Sequence, residues 1–124
     1  MKLFDSELRV MDVLWAHGPM TAKAISDILN REVGWNMNTT YTVIKKCIAK
    51  GAIERTEPHF QCRALIPKED VQLEETDNLI GRLYDGAVDK LFAAVLGSRK
   101  LTTEQIASLK KMVDELEGDE NGTS

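Results

Sequence analysis

The chain holds 124 residues, 43% hydrophobic and 29% charged, the balance of an ordinary globular protein with one domain or a small domain plus an appendage. Eight glycines and three prolines are too few for a many-turned β fold, and the longest purely apolar run, Leu91 to Leu96, is far too short to cross a bilayer. A formal net charge of −4 argues against nucleic acid as a partner until its distribution along the chain is read.

In chain order, Met1-Lys2-Leu3-Phe4-Asp5 lacks the apolar core of a signal peptide, so the expected location is cytoplasmic, with no membrane partner. Asp5 to His17 reads as a first helix. Leu8, Met11, Leu14 and Trp15 fall at i, i+3, i+6 and i+7, and Asp5 and Glu7 sit where the positive end of the helix dipole favours them. Gly18-Pro19 stops it. Thr21 caps a second helix over 22–30, with Ala22, Ile25, Ile28 and Leu29 inward. A connection over 31–35 carries Trp35 as a hydrophobic plug.

Met37 to Lys50, MNTTYTVIKKCIAK, forms the third helix. At 100° per residue, Thr40, Ile44, Cys47 and Ile48 share one side, and Asn38, Thr39, Thr42, Lys45, Lys46 and Ala49 share the other. The outer side has no acid. Short polar side chains suit base edges and phosphate oxygens, and ammoniums suit phosphates. Asn36 caps the start and Gly51 ends it. Taken alone, such a helix is better explained as a solvated surface, and its neighbours change those odds. After Gly51 the period changes to two. Residues 53–57 and 61–66 read as short strands around Pro58-His59. Three helices followed by a β-hairpin make a winged helix-turn-helix, whose third helix enters the major groove while the hairpin rests on the flanking backbone. Asn38, Thr39, Thr42, Lys45, Lys46, Arg55 and Arg63 are the candidate DNA-binding residues.

Pro67 marks the expected boundary between a winged-helix DNA-binding domain, 1–67, and a helical dimerisation domain, 68–124. Residues 1–66 hold nine Lys+Arg and seven Asp+Glu, whereas 67–124 hold seven and thirteen. A mildly basic half and a strongly acidic one fit one half that touches DNA and one that points away. Lys68 to Tyr84 reads as a helix, Gly86 interrupts, and Ala87 to Leu96 continues with Val88, Leu91, Phe92 and Val95. Thr102 to Gln105 has the form of a capping box. It opens a last helix with Ile106, Leu109, Met112, Val113 and Leu116 on one side, fraying from Glu117 on. These stripes are too thin to bury themselves, and a second copy of the chain is the favoured cover. The fold class is mainly α with a small β-hairpin.

Nothing in the chain has the form of an active site: there is no Ser/His/Asp order, no Gly-rich phosphate loop and no carboxylate pair with a reason to be close. Cys47 reads as a packed thiol, Cys62 as a hairpin residue, His17 as a helix end and His59 as a turn residue. Their spacing is not that of metal ligands. No cofactor and no metal are expected. Lys50 reads as a plain solvated lysine.

Ser6-Glu7-Leu8-Arg9-Val10-Met11-Asp12-Val13-Leu14-Trp15 resembles the signature of the penicillinase repressor family, the BlaI/MecI/CopY type. Trp35, Thr39, Tyr41-Thr42-Val43-Ile44-Lys45-Lys46 and Lys50-Gly51-Ala52-Ile53 are similar to that family's recognition-helix segment. Tyr84-Asp85-Gly86, then Leu101-Thr102 and Glu104-Gln105-Ile106-Ala107-Ser108-Leu109, resemble its dimerisation segment. The resemblance implies a homodimeric repressor that binds a pseudo-palindromic operator. It puts the base- and phosphate-facing positions on Asn38, Thr39 and Thr42, with Lys45 and Lys46 beside them. Two departures stand out. Glu57-Pro58-His59-Phe60 replaces the family's Gly-Arg wing tip, leaving Arg55 and Arg63 as the wing's cations. Ala94-Val95 stands where some relatives have a cleavable Asn-Phe bond, and no cysteine follows Cys62 to supply the Cys-x-Cys set of the copper-responsive relatives. The contrasting expectation is a winged-helix protein-interaction module that has lost DNA binding.

Overall fold

The computed structural model describes residues 1–123, in the order α1 (Asp5–His17), β1 (Met20–Thr21), α2 (Ala22–Val33), α3 (Met37–Ala49), β2 (Ile53–Thr56), β3 (Gln61–Ala64), α4 (Lys68–Tyr84), α5 (Val88–Gly97) and α6 (Thr103–Thr123). The chain divides into two compact units, Met1–Asp77 and the stretch from Asn78 on. The division falls inside α4, because the start of that helix belongs to the first unit's core through Val71.

The first unit is built on a tripod of helices. α1 begins where the Phe4 N–H donates to Glu7 Oε1 at 2.7 Å, and ends at Gly18, whose left-handed φ of 82° no side-chain-bearing residue adopts readily. Its buried side is wider than the periodicity predicts. Glu7, Val10 and Val13 are buried with Met11 and Leu14, whereas Leu8 and Trp15 are half-buried. The cause is tertiary: α2, α3 and β3 all pack on this helix. Trp15 lies at the margin and donates its indole N–H to Ile66 O at 2.9 Å, the usual position for an aromatic with a polar tip.

α2 opens on Thr21, whose hydroxyl accepts from the Ala24 N–H at 3.1 Å. It runs past Asn30 to Val33, since 31–33 contain no breaker and the left-handed stop comes only at Gly34. α3 packs on both α1 and α2, burying Thr40, Val43, Ile44 and Cys47. After Gly51 the Ala52 N–H returns to Cys47 O at 2.9 Å and hands the chain to the sheet.

The sheet is antiparallel with strand order β1-β3-β2. β2 and β3 form the expected hairpin, trimmed to four residues each. β1 has no signal in the sequence: two residues have no measurable period, and Thr21 serves at once as strand and helix cap. Met20 pairs with Cys62 and Thr21 with Gln61, so the connection from α1 to α2 is tied to the wing. Ile53 and Cys62 point into the core.

The second unit holds the end of α4 together with α5 and α6. The capping box at the start of α6 is formed in both directions: the Gln105 N–H donates to Thr102 Oγ1 at 3.1 Å and the Thr102 N–H to Gln105 Oε1 at 2.9 Å. α6 continues to Thr123, past Glu117 where fraying was expected. Much of the apolar surface of these helices is open, including Val88, Phe92 and Leu96 of α5 and Met112, Val113 and Leu116 of α6. Among the described residues no helix is long and apolar enough to cross a membrane.

Candidate nucleic-acid interface

α3 presents the outer face that its sequence implies. Asn38, Thr39, Thr42, Lys45, Lys46 and Ala49 are all exposed, with the buried stripe behind them. The start of the helix is fixed by Asn36, whose side chain accepts from the Thr39 N–H at 2.8 Å. No acidic residue stands in the first turn, so the positive end of the dipole is uncompensated and favours an anion. Among the described residues no carboxylate lies within ion-pair distance of Lys45 or Lys46. Five of the seven candidate residues are therefore gathered on one face whose only charges are positive.

The two wing arginines are placed differently. Residues in register share a face of the pleat. Arg55 opposes Cys62 and Arg63 opposes Glu54, so the arginines lie on opposite faces of the hairpin. Both are exposed and both are already paired: Arg63 Nη2 meets Glu54 Oε1 at 3.1 Å, and Arg55 Nε meets Glu57 Oε1 at 2.7 Å. Arg55 also lies over the Phe60 ring, 3.6 Å from its centroid. Phe60 in turn meets Tyr41 of α3 edge-on, with centroids 5.6 Å apart and planes at 76°. This aromatic contact ties the wing tip to the helix. The Glu54–Arg63 pair could have been counted off the hairpin register; the Phe60–Tyr41 contact had no signal in the sequence.

Lys50 is half-buried and paired, where the sequence reads as a plain solvated lysine. Its Nζ lies 2.5 Å from Oε1 of Glu7, donates to Lys2 O at 2.9 Å and sits 4.2 Å from the centre of the Phe4 ring. Glu7 is 1% exposed. Burial pushes its carboxyl up, but the hydrogen bonds from Lys50 and Phe4 and the charges of Lys50 and Lys46 outweigh burial and hold it below the usual carboxylate range. The end of α3 is thus clamped to the start of α1.

The thiols are core residues. Burial, then the Glu7 charge, pushes Cys47 up to about 12, and burial pushes Cys62 up to about 11, so neither is a thiolate at neutral pH. Among the described residues no three His, Cys, Asp or Glu side chains come close enough to hold a metal.

Known proteins resemble this chain in sequence and in fold. The penicillinase repressor of Bacillus licheniformis is 24% identical over 116 residues, which cover 92% of this chain and 91% of that protein. The solution structure of the DNA-binding domain of the repressor BlaI superposes with a TM-score of 0.52 at 27% identity, covering 56% of this chain and 87% of that one. The Bacillus licheniformis BlaI monomeric form in complex with the blaP half-operator gives a TM-score of 0.51 at 26% identity, covering 56% and 88%. The family model described as penicillinase repressor matches residues 3–115, nearly the whole of both units, and with the winged helix-turn-helix and its acid-free third helix in view, this chain belongs to the penicillinase repressor family.

Proposed function

We propose that the protein is a cytoplasmic homodimeric repressor that binds a pseudo-palindromic operator through α3. Asn38, Thr39 and Thr42 address base edges and Lys45 and Lys46 address phosphates, while the wing's cations, Arg55 and Arg63, flank this face with each already paired to a glutamate. Residues 1–67 act as the DNA-binding domain and 68–124 as the dimerisation domain. The observation that carries this reading is the exposed, acid-free face of α3 on a fold shared with a relative solved in complex with a half-operator. The open apolar faces of α5 and α6 support the dimer, since a two-fold axis lets one stripe cover its twin.

The test is a gel shift on a fragment from upstream of the protein's own gene, run across a series of salt concentrations. A repressor retards the fragment at low salt and loses it steeply as salt rises, with a log–log slope of about −0.9 for each neutralised phosphate. No retardation at any salt would leave the protein-interaction module as the better reading.

A further inference from the structure

We propose that Glu57 is an affinity-setting residue of the DNA-binding face: it latches Arg55 onto the wing tip and so keeps that arginine from contributing to phosphate binding. The inference rests on the DNA-binding reading above and goes beyond it, because it concerns an acid rather than a base.

The latch uses both oxygens of one carboxylate. Oε1 accepts from Arg55 Nε at 2.7 Å, and Oε2 accepts from the Phe60 N–H at 3.1 Å. The Phe60 ring then forms the floor under the guanidinium, 3.6 Å from ring centre to Cζ. Arg55 is thus held by a charge from one side and a π face from another, and the carboxylate that holds it is itself held by backbone. These contacts sit next to α3, since Phe60 abuts Tyr41. Glu57 stands just past the end of β2 and in contact with Arg55, so its charge accompanies the guanidinium.

An arginine with a carboxylate at contact distance presents almost no net charge to a phosphate. To take a phosphate it must exchange partners, and the acid it leaves is then a like charge beside the DNA backbone. Lys45 and Lys46 carry no such handicap, having no carboxylate partner among the described residues. Binding strength therefore rests on α3 and not on the near face of the wing. On the other face Arg63 forms a simple ion pair with Glu54, so each arginine of the hairpin is matched by a glutamate.

A four-protein cycle tests this: parent, Glu57→Gln, Arg55→Gln and the double variant, with anisotropy titrations on a random-sequence duplex and on the own-promoter fragment at several salt concentrations. Glutamine keeps an acceptor for the Phe60 N–H while removing the charge, and matching thermal unfolding curves establish that all four are folded. Expected are a salt slope steeper by about 0.9 for Glu57→Gln, an unchanged slope for Arg55→Gln, and the parent slope again in the double variant. The latch is overturned if Glu57→Gln leaves the slope unchanged, or steepens it equally with and without Arg55, which is a general charge effect. It is also overturned if Arg55→Gln alone flattens the slope by about 0.9, since Arg55 would then already hold a phosphate. In each of these the parent still binds and the DNA-binding reading stands. If the parent binds neither duplex, that reading fails and the latch falls with it.

Discussion

A carboxylate taken out of water costs several kcal/mol unless it is paired and hydrogen-bonded. Glu7 offsets part of that cost with Lys50 and the Phe4 N–H, both on Oε1, while Oε2 is buried with no hydrogen-bond partner among the described residues. Removing Lys50 strands the buried charge, so Lys50→Met should lower stability by roughly 2–3 kcal/mol in urea unfolding. That is below the full penalty for a broken buried pair because Lys50 still reaches solvent. Glu7→Gln should cost less, as the amide oxygen can still accept from Phe4. The pH dependence has a definite sign. The folded carboxyl lies below its usual value, so its stabilisation is complete above the ordinary carboxylate range and is lost as pH falls through the folded value. Unfolding curves of the parent should weaken on acidification through that window, and those of Lys50→Met should weaken less. Equal acid sensitivity in the two proteins would mean that the clamp does not set this carboxyl. None of this was legible beforehand, because Glu7 and Lys50 stand 43 positions apart in the chain and only the fold brings them together.

At the scale of elements, the third helix was the most legible part, since its information is local. A cap, a stop and a two-sided wheel lie within the segment Asn36 to Gly51, and Met37–Ala49 is helical with Thr40, Ile44 and Cys47 buried as the wheel put them, Val43 joining them and Ile48 only half-buried. Asn36→Ala should lower stability by about 1 kcal/mol, while Asn36→Gly costs only a few tenths. Equal losses would mean that the side-chain cap contributes nothing. Less legible were the features set by neighbours. Val10 and Val13 of α1 are buried because three elements surround that helix. β1 exists because β3 offers it an edge at Cys62 and Gln61. The wing's arginines could be named from the sequence, but their placement on opposite faces, each with its own glutamate, needed the register.

For the whole molecule, the apolar core cluster runs from Leu3 to Val71 in the first unit, while much of the apolar surface of α5 and α6 is open. Leu116 is 63% exposed and Phe92 49%, an unusual amount of open apolar surface for a chain that works alone. Sedimentation equilibrium should give a dimer for the parent, and Phe92→Asp should shift it to monomer while leaving the first unit folded. A parent that stays monomeric would remove the dimer from the reading. The central claim, that the outer face of α3 reads bases, is tested most directly by the ratio of operator to random-duplex affinity in the parent, Thr42→Ala and Lys46→Ala. Thr42→Ala should lower that ratio by about 1–3 kcal/mol, and Lys46→Ala should weaken both duplexes alike, flattening the salt slope by about 0.9 and leaving the ratio unchanged. A ratio that survives Thr42→Ala, with neither variant weaker than the parent, would contradict the account.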